Sequence, residues 1–135
     1  MPNTFSQIYV QIVFAVKRRE SLIDSSWEDE LHKYISGIID KKNQKLFAIN
    51  GMPDHIHILL SLAPTCAISD LVREIKKSST NFIKEKKFLT REFQWQEGYG
   101  VFSYNKSILP NVIAYIHNQK EHHKKIDFMD EFILF

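Results

Sequence analysis

Cysteine is all but missing from this chain: Cys66 stands alone among 135 residues, which excludes an internal disulfide and suits a reducing compartment. Its neighbours Thr65 and Ala67 supply no base to activate the thiol, so Cys66 reads as structural rather than nucleophilic. Long hydrophobic stretches are missing too. Unbroken apolar runs such as Ile12 to Val16 fall far short of a membrane span, and no basic-then-apolar leader is evident, so a cytoplasmic location is the expectation. Glycine and proline are scarce at four each, and no repeat, linker or low-complexity tract interrupts the chain. A dominant charge is lacking as well: 18 basic against 16 acidic side chains leave a net charge of +2, which names no partner by itself.

What is present fits one domain over residues 1–135. A chain of this size hides roughly two-thirds of its unfolded surface on folding, enough for a single core, and 44% apolar with 25% charged residues can supply one. Thr4 to Val16 reads as a strand with Ile8, Val10, Ile12, Phe14 and Val16 on one face and Gln7, Tyr9 and Gln11 on the other. Asp24 and Ser25 offer N-caps to a helix whose stripe is Trp27, Leu31, Tyr34, Ile35, Ile38 and Ile39, with Tyr34 in the core. Leu46 to Asn50, the turn Gly51-Met52-Pro53-Asp54 and His55 to Leu62 predict an antiparallel strand pair. Ser69 caps a second helix with Leu71, Val72, Ile75, Phe82 and Ile83 inward. Phe93 to Gln96 and Val101 to Tyr104 read as two short strands. Ser107 caps a third helix running to about Lys124, with Pro110 in its first turn, and Asp127 to Phe135 is a short helix or an extended tail. The order βαββαββα predicts an α+β, ferredoxin-like sandwich: an antiparallel sheet with helices packed on it.

Charge clusters even though it balances. Arg73, Lys76, Lys77, Lys84, Lys86, Lys87 and Arg91 are opposed nearby only by Glu74, Glu85 and Glu92. Such a face attracts polyanions with a steep dependence on salt; taken alone, a solvated helix surface is the plainer reading.

The chemistry concentrates in His55-Ile56-His57. Alternation puts both histidines on one face of a strand, with Cα atoms roughly 6.6 Å apart, close enough to share one metal ion. Asp54 could orient one of these rings as a hydrogen-bond acceptor, or be an ordinary turn carboxylate. Two imidazoles leave a metal site incomplete. Tyr115 and Gln119, four residues apart on the third helix, share a face and can supply a phenol and a neutral amide oxygen. Mixed imidazole and oxygen ligation fits a divalent ion, magnesium or manganese in use.

At these residues the chain resembles a family. His55-Ile56-His57 resembles the His-hydrophobic-His element of the HUH single-strand endonucleases, and Tyr115-Ile116-His117-Asn118-Gln119 the tyrosine helix of their single-tyrosine transposases, the insertion sequence 200/605 class. Trp95 to Ser103, the Ser78-Ser79 pair in a basic helix and His122-His123 are also similar, so the resemblance covers nearly the whole chain.

The resemblance implies cleavage and rejoining of single-stranded DNA at hairpin-bearing transposon ends. Tyr115 would be the nucleophile, forming a 5′-phosphotyrosine intermediate, and His55, His57 and Gln119 would hold the divalent ion. A phenol of ordinary pKa near 10 is only about 0.1% ionised at pH 7, a cost of roughly 4 kcal/mol that a neighbouring cation offsets. Known members are homodimers in which the tyrosine helix often completes the partner's site, so Tyr115 and Gln119 of one chain would meet His55 and His57 of the other. Arg73, Lys76, Lys77, Lys84, Lys86 and Lys87 would then face DNA. Many relatives continue beyond the tyrosine helix, and Phe128 to Phe135 reads as a shortened version of that extension. Two other functions compete: a domesticated or inactive relative that binds hairpins without cutting, and a metal-dependent phosphodiesterase that uses water.

Overall fold

Alternating side chains give each strand two unlike faces, and this decides where everything else packs. The computed structural model describes residues 4–122. In it β1 (Tyr9–Ala15) lies between β3 (His55–Ser61) and β4 (Gly100–Tyr104), and β2 (Lys45–Met52) pairs with β3 at the far edge. All pairings are antiparallel and the strand order is β2-β3-β1-β4. The helices α1 (Glu28–Lys41) and α2 (Ile68–Lys86) cover one face, while α3 (Leu109–His117) packs on the other and is followed by the single turn α4 (Gln119–His122). This is the expected α+β sandwich. Among the described residues no helix is long and apolar enough to cross a membrane.

The main core is one side of the alternation. Val10, Ile12, Phe14 and Val16 from β1 and its end, with Ile56, Ile58 and Leu60 from β3, meet Leu31, Ile35 and Ile39 of α1 and Leu71, Val72, Ile75 and Ile83 of α2. Each such buried aliphatic side chain contributes about 1.5–3 kcal/mol. A smaller cluster on the other face joins Ala48 and Leu59 to Leu109, Val112 and Ile116 of α3. Gly51 is required where β2 turns towards β3, since a Cβ there would stand 2.2 Å from the His55 carbonyl oxygen.

Several expected boundaries shift. The first strand starts at Tyr9, not Thr4, although Leu62 N–H still donates to Ile8 O at 2.7 Å. Phe93 to Gln96 forms only a bridge between Trp95 and Val16, because β4 already occupies that edge of β1 from Tyr9 to Val13. The alternation there is real: Phe93 and Trp95 are buried, and the Trp95 indole donates to Ser79 Oγ at 2.9 Å. Asp24 organises a turn, its carboxylate accepting from Ser26 N–H at 2.9 Å, and α1 begins only after Trp27. The N-cap of α2 is Ala67, not Ser69. Asn105 rather than Ser107 caps the third helical segment, accepting from Ile108 N–H at 3.3 Å. That segment ends at Asn118 (φ −98°, ψ 22°) instead of continuing to Lys124. Tyr34 is 37% exposed, stacked on Phe82 rather than enclosed in the core. The expected tail, Asp127 to Phe135, lies outside the described residues.

Candidate active site

The histidine pair occupies the face opposite the main core. His55 and His57 are 0% and 2% exposed, with ring centroids 5.0 Å apart. Each ring is oriented through Nδ1. His55 Nδ1 lies 2.8 Å from Asp54 Oδ1, and His57 Nδ1 lies 2.6 Å from Gln11 Oε1. Both partners are acceptors and call for a proton on Nδ1, so in a neutral ring Nε2 is the nitrogen suited to metal ligation. Gln11 is itself held, its Nε2 donating to the Tyr104 hydroxyl oxygen at 2.7 Å. Burial pushes the Tyr104 phenol up from its ordinary range, opposed by that bond from Gln11.

Helix α3 lays Tyr115 against this pair. Its ring meets that of His57 edge-on, centroid to centroid 6.0 Å, within one chain. Gln119 is fully buried, and its side-chain Nε2 donates to Tyr115 O at 3.4 Å, so the two residues stay neighbours despite the break at Asn118. Among the described residues no three His, Cys, Asp or Glu side chains cluster as a metal site. The Gln119 amide oxygen is of the right chemistry to join two imidazoles in a ligand set.

The basic residues are elsewhere. Arg73, Lys76, Lys77, Lys84, Lys86 and Lys87 belong to α2 or its C-cap, on the far side of the sheet from the histidines, and Arg91 follows in the loop after it. Lys77, Lys84 and Lys87 are exposed, and Arg73 pairs with Asp70 on its own helix. Lys86 lies 3.5 Å from Glu30. Lys76 is engaged internally, its ammonium donating to Gln96 O at 2.8 Å and Gly98 O at 2.7 Å, and burial pulls its pKa down. Lys84 and Lys87 share an open depression with Thr80, Asn81, Arg91 and Gln94. Cys66 is half-buried and burial pushes its thiol up, which fits an inert role.

Sequence reasoning missed Gln11 and Tyr104. The available signal was a glutamine interrupting the buried, otherwise apolar stretch Val10 to Val16, but only the register that sets Gln11 beside Leu59 and Phe102 shows what it faces.

A family model described as "Transposase IS200 like" matches residues 4–119. The chain belongs to the IS200-like transposase family. The transposase is 24% identical over 120 residues to the ISDra2 transposase TnpA of Deinococcus radiodurans, covering 85% of this chain and 86% of that one. It is 28% identical over 119 residues to the transposase for insertion sequence element IS200 of Salmonella typhimurium, covering 84% and 77%. Two solved structures share the fold. One is a Deinococcus radiodurans R1 chain assigned to the transposases, with TM-score 0.71, 23% identity, and 87% and 94% of the two chains covered. The other is a REP-associated tyrosine transposase bound to a REP hairpin, with TM-score 0.68, 18% identity, and 92% and 73% covered.

Proposed function

We propose that this transposase cleaves and rejoins single-stranded DNA at hairpin-bearing transposon ends, with Tyr115 as nucleophile and a divalent ion, magnesium or manganese, held by His55, His57 and Gln119. The observation that carries this reading is the edge-on approach of the Tyr115 ring to His57, 6.0 Å between centroids, in a chain of the IS200-like transposase family. The solved relative bound to a REP hairpin supports hairpin DNA as the ligand.

In the first step Tyr115 Oη loses its proton and bonds to the phosphorus of a backbone phosphate, while the bond from that phosphorus to the 3′ oxygen breaks. The leaving oxygen takes a proton and becomes a free 3′ hydroxyl, and the DNA stays attached as a 5′-phosphotyrosine. A 3′ hydroxyl from another strand end reverses the exchange, bonding to phosphorus as the tyrosine oxygen departs. One phosphoester replaces another each time, so no ATP is needed. Asp54 and Gln11 orient the two imidazoles through Nδ1, which turns Nε2 to the ion. The chemistry the ion supplies when bound is Lewis acidity towards the scissile phosphate. The exposed lysines of α2 and its C-cap offer phosphate contacts away from the cleavage point. The working unit is a homodimer.

Incubating the protein with hairpin-bearing single-stranded DNA and manganese, then running a denaturing gel, tests the proposal. A covalent protein–DNA band is expected, absent in Tyr115→Phe. Shifted but uncut DNA would replace this reading with a binding-only relative, and cut ends without an adduct would make water the nucleophile. A mixture of Tyr115→Phe and His57→Ala chains forms a further arm. With Tyr115 beside its own chain's His57, the mixture is expected to stay inactive; recovered cleavage would mean that the tyrosine helix crosses between subunits.

A further inference from the structure

The joint between α3 and α4 is tied down by groups that the chemistry above does not use. Asn50 Nδ2 donates to His117 O at 3.1 Å, satisfying a carbonyl at the end of α3. Lys120 Nζ, one residue past Gln119, donates to Glu28 Oε2 at 2.9 Å and Gly51 O at 3.0 Å, and lies 3.5 Å from Asn50 Oδ1. Glu28 is only 7% exposed and belongs to the first turn of α1, in the helix layer that covers the main core. Asn50 and Gly51 lie on the edge strand β2. The contacts therefore run around the sheet edge, from the helix layer beneath the main core to the layer that carries Tyr115.

We propose that Lys120, Glu28 and Asn50 form a latch that holds the Tyr115–Gln119 segment in place, with the Tyr115 ring beside His57, making Lys120 a positioning residue for the reaction. This rests on the roles given to Tyr115 and Gln119 above. A four-residue turn has no stability of its own, so the place of Gln119 depends on ties to the rest of the chain. The Lys120 side chain is 51% exposed against 10% for Glu28, so the ion pair alone is modest and the latch rests on its bonds to Glu28, Gly51 and His117 acting together. Displacement of a reacting group by about 1 Å can cost about a hundredfold in rate, so the latch matters for turnover while making no contact with DNA.

The test uses Lys120→Met, Lys120→Arg and Glu28→Gln in the full chain, read by hydrogen exchange over residues 114–122, by hairpin affinity and by single-turnover cleavage. Lys120→Met is expected to lose exchange protection over that segment, slow cleavage about ten- to a hundredfold, and leave hairpin affinity and sheet protection unchanged. Glu28→Gln should reproduce this and Lys120→Arg should restore it. Unchanged protection in Lys120→Met would overturn the latch. So would a loss of hairpin affinity in Lys120→Met that Glu28→Gln does not share, since Lys120 would then be touching DNA. Exchange is read without DNA or metal, so a wild-type protein that fails to cleave would refute the proposed function and leave the latch to be decided separately.

Discussion

β3 turns Ile56, Ile58 and Leu60 towards α1 and α2, and His55, His57 and Leu59 towards α3. Consecutive residues of one strand thus live in opposite environments. The first side is closed, apolar and covered by two long helices. The second carries two imidazoles, a glutamine and a phenol beneath a helix of 9 residues. The main core lies on the first side and the candidate site on the second. The same backbone ladder that packs the core also fixes the histidines, with Val13 directly opposite His57 and Ala15 opposite His55.

This separation can be broken from either side, and the largest effect is expected from the core. Ile58→Ala should cost about 2–5 kcal/mol of stability in chemical denaturation, while the protein that remains folded cleaves hairpin DNA at nearly the normal rate. Loss of cleavage in that folded fraction would mean that the two faces are not independent. On the other side, Gln11→Leu removes the acceptor that orients His57 and the donor to Tyr104. Manganese binding, measured by calorimetry, should weaken about ten- to a hundredfold with the core intact; unchanged affinity would show that His57 needs no such support.

A third, smaller effect sharpens the comparison at the sheet edge. His32 is buried and its Nε2 has no hydrogen-bond partner among the described residues. Burial lowers its pKa from the ordinary 6.5; Glu28 opposes the shift, Lys120 adds to it and Asp29 opposes it. The folded state thus favours neutral His32, whereas the unfolded chain takes up a proton as pH falls through 6.5. Its contribution to stability is present above that pH and is lost below it. Thermal melts from neutral pH downwards should therefore show a steeper decline for the wild type than for His32→Leu. Parallel declines would assign the acid sensitivity elsewhere.

The candidate site residues stand out in the sequence because they break local rules. Histidines two apart in an apolar strand have no packing purpose, and a phenol with a carboxamide one helical turn on is an unusual pairing. The helix stripes and the layered sandwich were legible because periodicity reports burial. Periodicity does not report pairing length, which is why Phe93 to Gln96 read as a strand and formed one bridge: its partner edge was already taken by β4. Nor does it report where distant groups reach. The helix break at Asn118 is matched by Asn50 bonding His117 O, and the support of His57 by Gln11 depends on strand register, so neither is written in nearby sequence.

The strict alternation along β3 carries an evolutionary consequence. Unless a bulge absorbed it, one residue gained or lost between Ile56 and Leu60 would reverse the parity of the strand, driving polar rings into oil on one side of the change and aliphatic side chains onto the face beneath α3. Substitutions can sample this segment one position at a time, but length changes of a single residue cannot, so its reading frame in space should be far more constrained than its composition.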